Sequence, residues 1–190
     1  MRLVIELTGF GLIVANVFLG IRFGLLRRGI ALAGVYAGIG AASLVGIGVA
    51  NFFNNNHEPD ALYRAAWWFV GIMFLVIVTV EILGFLYDDR ITRVASLMFD
   101  RTAGALMGAL VGFLQIAMVC LVVLAVGNAQ APNERSPLPA NRTSYTQGVD
   151  ASFLGGRVNA RADALLNVFR PVLPSDLPAH LAENADTTHK

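Results

Sequence analysis

Charge is scarce in this chain. Only 14% of its 190 residues are Asp, Glu, Lys or Arg, against about 25% in soluble domains. With 56% hydrophobic residues, that shortage excludes an ordinary soluble domain and puts the chain in the membrane class. The net charge of +1 leaves no broad basic field, so nucleic acid is not an expected partner. Lysine is almost missing: Lys190 is the only one, and every other basic residue is Arg. Cys120 is the single cysteine. It can form no intrachain disulfide, and inside an apolar run it reads as a small packing residue. The three histidines, His57, His180 and His189, lie in a loop and in the tail without the i, i+4 partner of a helical metal motif. No metal or cofactor is expected. No Gly-x-Ser-x-Gly, P-loop or dinucleotide fingerprint is present, so the expectation is a protein that is not an enzyme. Proline is sparse until the end: six of seven fall beyond residue 128.

What is present is apolar length. Four runs are long enough for a bilayer, which takes about 20 residues: 3–21, 30–53, 65–87 and 103–126. The fold class this predicts is all-α, a polytopic membrane protein with four transmembrane helices. The domain reading is a transmembrane unit over 1–127 and a proline-rich tail over 128–190. Glu6 interrupts the first run, and the run continues as a full-length span, so a cleavable signal peptide is not expected. In the tail, 157–170 (RVNARADALLNVFR) has apolar positions at helical spacing. It predicts a short amphipathic helix, ended by Pro171, that lies on the membrane face or against a partner. Ser175 is placed to cap a second one.

Arginine placement predicts orientation. The links after the first and third runs hold Arg22, Arg27, Arg28, Arg90, Arg93 and Arg101, whereas the N-terminus has Arg2 and the middle link Arg64. By the positive-inside rule the Arg-rich links face the cytoplasm and both termini are extracytoplasmic. Tyr63, Trp67 and Trp68 suit an aromatic belt at the outer interface.

Glycine marks the packing faces. Gly104, Gly108 and Gly112 recur every four residues in 99–113 (FDRTAGALMGALVGF), and Gly34 and Gly38 do so in the second run. Four-residue spacing puts each set on one helix face. In lipid such faces allow close helix approach. Each half of the chain is thus an Arg-bearing link followed by a Gly-rich helix, although aligning the halves slips by a residue.

Polar residues inside the runs are the candidate functional groups. Glu81 lies six residues before Tyr87, about 9 Å inside the span at 1.5 Å per residue. A carboxylate at that depth faces the bundle interior or reaches the interface. Its expected roles are a proton- or ion-linked site, an ion pair with Arg22 or Arg101, or contact with headgroups. Asn16 and Gln115 can hydrogen-bond between helices. Asp100 and Arg101 stand at the entry of the last span, beside Arg28.

Together, GIRFGLLRRG (20–29) and FDRTAGALMGALVGF resemble the colicin V production protein family of bacterial inner-membrane proteins. The family's Gly-x-x-Arg-Gly type of turn is matched at Gly24, Arg28 and Gly29, with Arg27 doubling the basic residue. Its Asp-Arg-x-x-Gly-x-x-x-Gly-x-x-x-Gly segment is matched at Asp100, Arg101, Gly104, Gly108 and Gly112. The Arg common in the family after the last glycine is replaced here by Phe113, Leu114 and Gln115. The resemblance covers 3–126 and implies a multi-pass protein of the inner membrane, linked to peptide toxin production or export and to envelope maintenance, with no defined chemistry. Some relatives carry an extracytoplasmic serine protease domain, which is not expected here because the tail is short. The functional expectation is an assembly or scaffold factor. It would contact lipid and bind partner proteins, or a second copy, through the glycine faces. The alternative is a small oligomeric transporter or channel using Glu81, with Asn16 and Gln115 along its path.

Overall fold

The computed structural model describes residues 2–53, 61–86, 97–128, 147–149 and 151–173. Four long helices make the body: α1 (Arg2–Phe23), α2 (Leu25–Phe53), α3 (Ala61–Leu86) and α4 (Leu97–Asn128). All four are long and apolar enough to cross a membrane, and no strand occurs among the described residues. Short helices follow, among them α5 (Phe153–Asn159) and α6 (Ala162–Phe169).

Two boundaries differ from those expected. The link after α1 is one residue, Gly24, at φ +83°. That left-handed conformation reverses the chain without a loop and is open to glycine at no steric cost. Hence Arg27 and Arg28 are helical, in the first turns of α2. Likewise α4 starts at Leu97, so Asp100 and Arg101 belong to the helix rather than to a link.

The packing is reciprocal. α1 lies antiparallel on α4, and α2 antiparallel on α3; α2 and α4 meet at the centre. On α4, a Cβ added at Gly104 would strike the carbonyl oxygen of Gly20, and one at Gly108 the carbonyl oxygen of Asn16. At Gly112 it would lie 2.7 Å from Ile13 Cα. On α2, a Cβ at Gly38 would lie 2.8 Å from the Met73 carbonyl oxygen and one at Gly34 3.0 Å from Val80. The second helix of each hairpin therefore presents glycines to the first helix of the other. Lipid offers no hydrophobic drive for helix association, so this close contact supplies dispersion energy instead.

The sequence echoes the arrangement once the helices are aligned separately. Phe18-Leu19-Gly20-Ile21 matches Ile82-Leu83-Gly84-Phe85 at a shift of 64 residues. Arg27, Ala31, Leu32, Gly34 and Gly38 match Arg101, Ala105, Leu106, Gly108 and Gly112 at a shift of 74. The second shift is the larger by ten, so no single alignment of the halves holds throughout.

α4 is the most enclosed helix; Val111, Ala117, Met118 and Leu121 are fully buried. α1 turns Leu3, Leu7, Phe10, Val14, Phe18 and Ile21 outward, a stripe at helical spacing suited to acyl chains. The tail folds back on the bundle. Instead of one helix over 157–170, the chain turns at Ala160 and Arg161 between α5 and α6. The break lets Val158 and Phe169, both fully buried, reach the bundle from two helices. Ser152 caps α5, accepting from Gly155 N at 2.9 Å. Phe153 N donates to Glu6 Oε1 at 3.1 Å, Phe169 packs on Tyr36 with ring centroids 5.9 Å apart, and Ser43 Oγ donates to the Val172 carbonyl at 2.6 Å. The helix expected after Ser175 and residues 54–60 of the middle link lie outside the described residues.

Candidate functional site

Arg28 organises the only polar cluster that joins all four long helices among the described residues. It enters from the first turns of α2, and its side chain is fully buried. Nη2 donates to Glu81 Oε2 of α3 at 2.8 Å. Nη1 donates to Asn16 Oδ1 of α1 at 3.0 Å. Asn16 Nδ2 in turn donates to Gln115 Oε1 of α4 at 3.1 Å and to the Leu12 carbonyl of its own helix at 2.9 Å. One side chain from each helix is thereby tied into a single chain of bonds. Arg28 Nε finds no partner among the described residues.

Burial makes these bonds consequential. A guanidinium removed from water costs several kcal/mol, offset here by the carboxylate and the amide oxygen. Glu81 keeps a side-chain exposure of 25%, so the cluster runs from the centre of the bundle to its surface. Asn16 and Gln115 are buried, and each polar atom left unpaired there would cost about 1–3 kcal/mol.

The expected site residues separate into three groups. Arg28, Glu81 and Asn16 come together, and Gln115, foreseen only as a bond between helices, completes them. Glu81 pairs with Arg28 rather than with Arg22 or Arg101, both of which are exposed. Asp100 is nearby with a separate task. Its Oδ1 accepts from Leu25 N at 2.9 Å, which satisfies a free N–H at the start of α2. A Cβ on Gly24 would collide with the same carboxylate. The third group is glycine: Gly104, Gly108 and Gly112 meet α1, and Gly34 and Gly38 meet α3, all within the chain.

Two features were not foreseen. Gly24 acts as the whole turn, and Gly20 meets Gly104 backbone to backbone. The four-residue step from Gly20 to Gly24 to Arg28 was the available signal. Arg27 is buried too, its guanidinium carbon 3.7 Å from the Phe23 ring centroid and 5.5 Å from that of Phe85, a cation–π arrangement that suits a charge near lipid. No group of His, Cys, Asp or Glu able to hold a metal ion occurs among the described residues.

The polar cluster breaks the repeat. At the shifts given above, Arg28 corresponds to Thr102, Asn16 to Val80 and Glu81 to Val17. The glycine contacts occur in both halves, but the ion pair occurs once.

The family model described as colicin V production protein matches residues 7–147. The chain belongs to the colicin V production protein family. It is a multi-pass membrane protein related to colicin V production. The match takes in α1 from Leu7 and the other three long helices whole, and runs past Val126 into the proline-rich region. No curated protein and no solved structure matched the chain. Within this family member, the Asp-Arg-Gly segment has a physical reading: Asp100 fastens the α1–α2 turn, and the three glycines admit α1 against α4.

Proposed function

We propose that this colicin V production family protein is a non-enzymatic assembly or scaffold factor of the bacterial inner membrane, acting in peptide toxin production or export or in envelope maintenance. One observation carries the reading: the polar side chains of Arg28, Glu81, Asn16 and Gln115 are spent on one another. Arg28 holds Glu81 and Asn16, and Asn16 holds Gln115. Such a cluster fixes the arrangement of helices and leaves outward faces for contacts. The glycine stripes are occupied within the chain, so partners or a second copy would dock on the exposed apolar faces of α1 and α3.

The orientation proposed with it puts the Gly24 turn, with Arg22, Arg27, Arg28 and Arg101, on the cytoplasmic side. Both termini, and the exposed Trp67 and Trp68, would then lie on the other. The test is crosslinking in intact membranes followed by co-purification. A defined protein partner, or a stable oligomer, is expected; a chain that purifies alone as a monomer would count against scaffolding.

The partial exposure of Glu81 favours a second reading, an oligomeric transporter or channel. Flux through proteoliposomes that depends on Glu81 would support it, and no flux under any gradient would remove it.

A further inference from the structure

The arm formed by residues 151–173 has its two ends held at one level of the bundle. One end is pinned where Phe153 N meets Glu6, the other where Ser43 meets the Val172 carbonyl. Glu6 lies eighteen residues before Gly24, and Ser43 eighteen after Leu25. At about 1.5 Å per residue, both sit about 27 Å from the Gly24 turn. That is close to the full hydrocarbon thickness of a bilayer, about 30 Å. Measured from the Gly24 turn, the ends of the arm therefore lie about one hydrocarbon thickness away, on the opposite face of the bundle.

Its two sides differ. Leu154, Val158 and Phe169 are buried against the bundle, while Arg157, Arg161 and Arg170 are exposed. From Phe153 to Leu173 there are three arginines and one carboxylate, Asp163, a net charge of +2. None of the three arginines forms an ion pair among the described residues. The guanidinium carbon of Arg157 sits 3.8 Å from the ring centroid of Phe153, itself half exposed. An aromatic ring supporting a cation at this depth belongs to the interfacial layer, where apolar surface meets headgroups.

We propose that the arm is a binding surface for the phosphates of anionic phospholipid headgroups, engaged by Arg157, Arg161 and Arg170 in the leaflet opposite the Gly24 turn. Guanidinium matches phosphate oxygens in geometry as well as charge. Each arginine near an anionic surface adds about a fivefold preference. The level of the arm selects lipid over soluble anions: its cations stand where headgroups are the most concentrated phosphate.

The test uses the full chain in nanodiscs of phosphatidylcholine alone or mixed with phosphatidylglycerol, with retained lipids counted by native mass spectrometry. The wild type is expected to retain phosphatidylglycerol preferentially. The triple variant Arg157→Gln, Arg161→Gln, Arg170→Gln should lose that preference by about tenfold or more. The corresponding triple lysine variant should keep most of it, because the charge stays. Arg22→Gln with Arg101→Gln, at the opposite end, should leave the arm's share intact. An unchanged preference in the glutamine variant would overturn the proposal. So would stripping of the lipid by an equal concentration of inorganic phosphate, or loss in the lysine variant as complete as in the glutamine variant. The readout is lipid retention, so it fails or succeeds independently of any protein partner.

Discussion

Arg28 lies 53 residues from the carboxylate it binds and 12 from the amide, and no local pattern links them. The depth of Glu81 was legible in the sequence, because a lone carboxylate in an apolar run is conspicuous. Its partner was not, because the pairing depends on how far α2 and α3 slide past one another. That register is set by Gly34 and Gly38 against Val80 and Met73. Glycine substitutions test the packing residue by residue. Gly108→Ala would place a methyl group on the Asn16 carbonyl and should cost about 3 kcal/mol, the upper range for overpacking. Gly11 has nothing within 4 Å of its would-be Cβ, so Gly11→Ala should be neutral or stabilise by up to about 1 kcal/mol. Thermal unfolding in detergent distinguishes them; equal effects would mean that the α1–α4 contact is misplaced.

Among the elements, the existence of four spans was legible because composition alone demands them, while two of their starts were not. Polar and basic residues between apolar runs read as links, yet Arg27, Arg28, Asp100 and Arg101 are all helical. A one-residue turn leaves no loop signature except the glycine itself. The Gly24 turn and the Asp100 bond form a joint between three helices. Asp100→Ala should cost about 1 kcal/mol, the worth of a helix N-cap. Gly24→Ala should cost more, since it adds left-handed strain of about 1–2 kcal/mol to a collision with the Asp100 carboxylate. Melting temperatures of the two variants and their double check this. The double should be less destabilised than the sum, because removing the carboxylate relieves the collision. In the tail, helical spacing was legible but the break at Ala160 was not, because it serves contacts with α1, α2 and α4 made far away in sequence.

For the whole molecule, two similar hairpins exchange contacts through glycine, and one asymmetric ion pair joins them. This explains how a chain with so little charge can hold four apolar helices in one arrangement. Dispersion sets closeness, and the polar cluster sets register. The proposed orientation predicts that a reporter fused after Lys190 is active outside the cytoplasm; cytoplasmic activity would reverse it. The central claim is that Arg28 and Glu81 act together as a structural tie, and a double-mutant cycle on unfolding in a lipid-like medium tests it most directly. Arg28→Met and Glu81→Gln should each destabilise by about 3 kcal/mol, because the first strands the Glu81 carboxylate and the second leaves the buried Arg28 charge uncompensated. The double variant should be well short of their sum. Single variants with no effect on unfolding, or effects that add in full, would contradict the account.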